Sequence, residues 1–294
     1  MMESNAVTSL QDQIRGKYDS FAHHTISYHI LVNNEGQERE RSFDVWASEA
    51  EIEDFAKEGY LVREALIEGE PLEMLRRALD EVEEAEFEAA DGSRLGGRDW
   101  IPRHLFDKHA DFHMLINYEP VLSLARAVLG PFVRIRQLAA RISYPGQEVQ
   151  FTRWHHHQPG MTEPVPPFFA FPHKLDCLLY LDELNDANGL LAVAPGTHLH
   201  TGEDLPLEEY GDLAGQREIR APAGTCVVLH GNLWHRAMPT GAEGRKRRVL
   251  ILSYGPTWMR KSPFGDSPEN GLMERVIEEA DPATQELLGI GGYQ

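Results

Sequence analysis

Along the first 48 residues the apolar positions alternate in two short runs, Ser27 to Val32 and Ser42 to Trp46, which flank Asn33-Asn34-Glu35-Gly36. A polar, Gly-bearing turn between two such runs predicts a short β-hairpin. Residues 1–48 therefore read as an N-terminal extension packed on the core. From Ser48 the period changes. Ser48 with Glu51 three residues on has capping-box spacing, which predicts a helix to about Glu58, stopped at Gly59. After the apolar run Tyr60-Leu61-Val62, the residues Leu72, Leu75, Leu79 and Val82 repeat at three and four and predict a second helix over roughly Pro71 to Ala89. Its acidic run, Glu81 to Glu88, reads as a solvated face. Residues 91–105 are Gly-rich and polar and read as a loop, and a third helix is expected near Pro120 to Leu129. From Phe132 onward the texture is β: VRIRQLAARISY, CLLYL, LLAVA, TCVVLH and VLILSY, punctuated by Gly and Pro. Short β runs between turn signals predict a sandwich or barrel, not a parallel sheet. No repeat or low-complexity linker interrupts residues 49–294, so they read as a single α+β domain, helices first and sheet after.

Composition narrows the function classes. Lys and Arg number 28 against 47 Asp and Glu, a net charge of −19 on 294 residues. Such a surface repels nucleic-acid phosphate and anionic lipid, so neither nucleic acid nor membrane is an expected partner. No stretch approaches the length of a membrane span, and MMESNAVTSLQDQ lacks the basic-then-apolar pattern of a secretory signal. Cys177 and Cys226 both lie in apolar runs and read as buried thiols of a reducing compartment. A cytoplasmic small-molecule enzyme is the expectation.

Histidine is the unusual residue, 14 in all, with Trp154-His155-His156-His157 consecutive and Trp234-His235 downstream. In an extended segment His155 and His157 share one side and His156 takes the other. Two imidazoles on one face plus a third from a distant strand would grip a metal on one side and leave the opposite positions for substrate and oxygen, as non-haem iron(II) chemistry requires.

The neighbouring motifs add to this. Glu51 to Val62 (EIEDFAKEGYLV) resembles the start of the phytanoyl-CoA dioxygenase family of iron(II)/2-oxoglutarate oxygenases. Leu178 to His198, an apolar strand, an acidic turn, Asn188-Gly189 and then Ala194-Pro195-Gly196-Thr197-His198, is similar to that family's central stretch, and Gly224 to Tyr254 to its closing strands. The resemblance implies a double-stranded β-helix (jelly-roll) with N-terminal buttressing helices. It implies hydroxylation of a small organic molecule, with Fe(II) as metal, 2-oxoglutarate as cosubstrate and dioxygen as oxidant. It makes His155 the first metal ligand, His235 the second histidine ligand, and one of Arg245, Arg247 and Arg248 the anchor of 2-oxoglutarate. Arg247 fits best, seven residues before Tyr254, and a planar guanidinium matches a carboxylate in two bonds where Lys246 cannot. Arg141 and Ser143, on one face of the preceding strand, are further candidates for the cosubstrate. The hydroxyl the family carries two residues after its second histidine is Ala237 here.

One departure matters. The family's His-x-Asp is His155-His156-His157 in this chain, so imidazole stands where the carboxylate ligand should be. Three arrangements are open: a three-histidine site with His157 as ligand, a two-histidine site with the third position filled from outside, or a degenerate site without oxygenase activity. Two other functions accompany them, a three-histidine iron dioxygenase that needs no 2-oxoglutarate, and a non-catalytic binding protein on the same scaffold. Trp154 is expected to wall the site, and the Pro-rich segment Pro159 to Phe171 to cover it.

Overall fold

In the computed structural model, residues 24–31, 38–86, 99–146, 152–157, 173–199, 211–259 and 272–290 are described. The expected cover, Pro159 to Phe171, lies outside them. Strands β1 (His24–Leu31) and β2 (Glu38–Val45) pair antiparallel, His24 opposite Val45. Helix α1 (Glu49–Glu58) carries the capping box: Ser48 accepts from the Glu51 N–H, and the Glu51 carboxylate accepts from the Ser48 N–H. It ends at Gly59 in the left-handed region (φ 81°), whose N–H bonds back to the Phe55 carbonyl. Strand β3 (Tyr60–Arg63) follows, then helix α2 (Gly69–Glu86), which begins two residues earlier than its apolar spacing predicts and buries Leu72, Leu75, Leu79 and Val82.

The acidic run on α2 is a solvated face only in part: Glu84 is exposed and the Glu81 side chain is 65% exposed. Glu81 meets His109, Glu83 meets Tyr144 and Lys246, and Glu86 meets Lys108. Glu83 and Glu86, partly buried, fasten α2 to the segments that pack beside it. Strand β4 (Asp99–Trp100), helix α3 (Leu105–Lys108), a 3₁₀ turn (Ala110–Leu115) and helix α4 (Glu119–Leu129) lead into the sheet.

The strands β5 (Val133–Ser143), β6 (Leu175–Tyr180), β7 (Leu191–Val193), β8 (Arg217–Ile219), β9 (Cys226–His230), β10 (His235–Ala237) and β11 (Arg247–Pro256) complete two facing sheets. The larger has the order β3-β9-β6-β11-β5-β4 and the smaller β10-β7-β8, every pairing antiparallel. Alternation along the strands gives the large sheet two different faces. Leu138, Ala140, Ile142, Cys177, Leu179, Val228, Leu250 and Leu252 pack on the helices, while Leu178, Tyr180, Val227, Leu229 and Val249 meet Leu191, Val193 and Ile219 of the small sheet. This is the expected jelly-roll with helices against its outer face. Helices α5 (Leu272–Glu279) and α6 (Pro282–Leu287), which no pattern announces, close the chain; Asp281 caps α6, and Leu287 joins the core. Cys177 and Cys226 are buried and free, as expected, and among the described residues no helix is long and apolar enough to cross a membrane.

His230 ends β9 against Phe55 and His198, joining α1 to the sheet. Burial, with His198 and His173 nearby, pulls its imidazole from 6.5 down to about 3. The unfolded chain takes up this proton near pH 6.5 and the folded chain refuses it until about 3, so the stability it contributes is lost as pH falls through that window. One proton corresponds to about 1.4 kcal/mol per pH unit. Chemical denaturation of the metal-free protein at pH 6.5 and 5 should show a shallower loss of stability in His230→Gln than in the parent; equal slopes would assign the proton uptake elsewhere.

Candidate metal centre

Three imidazoles converge at one end of the space between the sheets. His155 and His235 form an isolated antiparallel bridge, each N–H donating to the other's carbonyl at 3.1 and 3.0 Å. Two residues along the same side, the His157 N–H donates to the Gly231 carbonyl at 2.7 Å. The backbone thus sets the three side chains together, with ring centroids 4.4 Å apart for His155–His235, 4.6 Å for His157–His235 and 5.2 Å for His155–His157. One ring nitrogen from each lies within 4.8 Å of the others.

Hydrogen bonding decides which nitrogen that is. Nδ1 of His155 contacts the Arg153 carbonyl and Nδ1 of His235 the Leu233 carbonyl, both at 2.9 Å. A carbonyl only accepts, so each Nδ1 carries the proton and each Nε2 keeps its lone pair. Nδ1 of His157 lies 2.7 Å from Asp176 Oδ2. Burial and the neighbouring His157 pull His155 down to about 4, and burial with His157 and His155 holds His235 well below its ordinary value. Neutral imidazoles with lone pairs aimed at a common point are what a metal requires of its ligands. The donor set therefore fits a single ion.

Asp176 is the residue the sequence reading misses. It is wholly buried on β6, accepting from Ser253 Oγ and lying 3.0 Å from Lys174 Nζ. Burial alone would raise its carboxyl, but Lys174, His157 and the Ser253 hydroxyl outweigh burial and hold it far below the usual range. A signal is present: one carboxylate at the head of the apolar run DCLLYL is costly to bury without partners.

The basic quartet sorts itself. Arg247 opens β11, is 3% exposed and points inward beside Ser143, opposite it in register. Its Nη2 approaches Ser143 Oγ at 3.5 Å and its buried Nη1 has no hydrogen-bond partner among the described residues. Arg248 is bound by Asp182 and Asp80, Lys246 by Asp80 and Glu83, and Arg245 is exposed. Burial draws the Arg247 guanidinium down to about 10, still charged at neutral pH. Arg141 shares the inward face but is engaged by Asp99 and Thr152. Gly189 (φ 87°) lies against Arg247: a Cβ there would collide with Nη1 and stand 2.6 Å from two carbonyl oxygens, so only glycine leaves the guanidinium its place.

Trp154 does not wall the site. Its Nε1 donates to the Gly211 carbonyl, Arg236 lies over its ring, and it packs with Ala192 and Ala194, whose neighbours Leu191 and Val193 face the interior. Strand alternation puts it opposite the ligand side. His156 points away from the other three and meets Trp234 edge-on.

A double-stranded β-helix with imidazoles converging at one end of its interior is a scaffold of mononuclear non-haem metal oxygenases. A family model described as phytanoyl-CoA dioxygenase (PhyH) matches residues 55–248, and the chain belongs to that family. Dioxygenase af480 of Aspergillus fumigatus is 28% identical over 183 residues, 61% of this chain and 55% of that protein. L-proline trans-4-hydroxylase of Streptomyces griseoviridis is 26% identical over 174 residues, 48% of this chain and 61% of the relative. The chain thus spans little more than half the length of these curated relatives. The crystal structure of HygX from Streptomyces hygroscopicus with nickel and 2-oxoglutarate bound shares the fold, with TM-score 0.57 at 15% identity over 73% of this chain and 89% of that one.

Replacing Gly189 by Ala forces both a disfavoured φ and a collision with Arg247 Nη1. Chemical denaturation should register a loss above about 1 kcal/mol, and an unchanged midpoint would show that the turn absorbs the methyl group.

Proposed function

We propose that this chain is a non-haem iron(II)/2-oxoglutarate-dependent oxygenase that hydroxylates an unactivated C–H bond of a small organic molecule, with His155, His157 and His235 holding the metal. The observation that carries this reading is the meeting of one ring nitrogen from each of three imidazoles in an interior whose other end presents the Nη1 of Arg247, without a hydrogen-bond partner among the described residues. Family membership supports it, as does the binding of nickel and 2-oxoglutarate by HygX on the same fold.

Iron bound with 2-oxoglutarate would supply dioxygen activation, the chemistry no side chain can perform. The protein's own residues do the rest. The carbonyls of Arg153 and Leu233 hold two imidazoles in the ligating tautomer and at fixed angles. Arg247 receives the far carboxylate of 2-oxoglutarate, with Ser143 beside it and Gly189 clearing its approach. Arg141 supports that end while Asp99 holds it in place. The apolar belt of Leu178, Val227 and Val249 between the two ends excludes water. Two thiols left free in the core support placement in the reducing cytoplasm.

Anaerobic titration of the iron-loaded protein with 2-oxoglutarate tests this reading. A visible metal-to-ligand charge-transfer band should appear in the parent and vanish in His235→Ala. No band in the parent would sink the 2-oxoglutarate assignment, and substrate oxidation without 2-oxoglutarate would then favour the three-histidine dioxygenase. Arg247→Lys should keep the band but weaken 2-oxoglutarate binding about tenfold or more, since one charged hydrogen bond contributes roughly 1.5–3 kcal/mol. Unchanged affinity would move the anchor to another residue.

A further inference from the structure

The buried Asp176–Ser253–Lys174 cluster joins the metal centre at one atom, His157 Nδ1. We propose that Asp176 is a positioning residue which returns to the centre the carboxylate charge that its ligands lack, acting through the ring of His157. This rests on the reading of His157 as a ligand.

Three observations support it. The first is position: Asp176 Oδ2 lies 2.7 Å from Nδ1, leaving Nε2 of the same ring for the ion. A carboxylate on a ligand's far nitrogen fixes its tautomer and raises its basicity. His155 and His235 are held by neutral carbonyls at the corresponding atom, so the ionic partner falls to the ligand that replaces Asp in the family's pattern. The second is fixity. β6 is the inner strand between β9 and β11, buried at every position, and Ser253 stands opposite Asp176 in register and donates its hydroxyl to Oδ1. The carboxylate therefore has one rotamer and one free edge, and that edge faces His157. The third is charge. A His-x-Asp site neutralises half of a divalent ion with its own ligands; three neutral imidazoles neutralise none, and a carboxylate one ring away replaces part of what is missing.

Asp176 as a mere structural partner of Lys174 would behave differently, and metal affinity tells the two apart. Cobalt(II) titrations of metal-free protein should find binding weakened about 10–100-fold in Asp176→Asn, which keeps the shape and a hydrogen-bond acceptor but removes the charge. In a His157→Asp background the sign should reverse. Two carboxylates would then face each other, and adding Asp176→Asn should tighten cobalt binding. A purely structural role would weaken binding in both backgrounds. Unaltered affinity in Asp176→Asn, alongside a loss in His157→Ala, overturns the proposal while leaving His157 a ligand. Unaltered affinity in His157→Ala removes the ligand reading itself. Should Asp176→Asn fail to fold by circular dichroism, Lys174→Met serves instead. Removing the competing cation should tighten cobalt binding, and equal or weaker binding would count against the proposal.

Discussion

His155 and His235 face each other because their peptides exchange two hydrogen bonds, 3.1 and 3.0 Å, across an antiparallel bridge. This is the hydrogen-bonded kind of pair, in which opposed residues project to the same side of the ladder. Everything else at the site is indexed from it. His157 follows two residues later on the same side, the Gly231 carbonyl fixes its peptide, and its ring then reaches Asp176. A slip of one residue would replace the pair with neighbours that point outward. The centre is therefore specified by backbone pairing before any ion is considered.

The large sheet gives that centre its surroundings. Across its inner face, Gln137, Ser253 and Asp176 form one row in register, Ala139, Ile251 and Leu178 the next, and Ser143 and Arg247 stand further along. A polar row, an apolar belt and a cationic end succeed one another along the same strands. Among the described residues, the apolar side chains clustered on this face come from strands and loops. The helices bury the sheet's other side, and α1 is tied to the ends of β3 and β9 through Gly59 and His230.

Much of this is legible in the residues. The capping box, the α2 spacing and the β runs each express a local rule that the fold obeys, and Arg247 stands out from its basic neighbours by its place on the last strand. The rest needs three dimensions. Asp176 sits about twenty residues from His157 in a strand whose character is apolar, and no spacing links them. Glu83 and Glu86 read as solvated because their partners, Tyr144, Lys246 and Lys108, come from elsewhere in the chain. Trp154 adjoins a ligand in sequence, but strand alternation sends adjacent side chains to opposite faces. The short strands β8 and β10 and the two closing helices carry too few periodic positions to announce themselves.

The outward pull on the basic quartet has an electrostatic consequence. Asp80, Glu83 and Asp182 claim Lys246 and Arg248, while Asp99 claims Arg141. Arg247, the buried member of the quartet, carries no acidic partner among the described residues' ion pairs. An anion arriving there meets one cation, held in place by a turn that has no side chain of its own. A buried guanidinium left without a carboxylate of its own favours an anionic partner over a neutral one. Through Asp80 and Glu83, helix α2 thereby helps to set how much unpaired positive charge that end of the sheet presents.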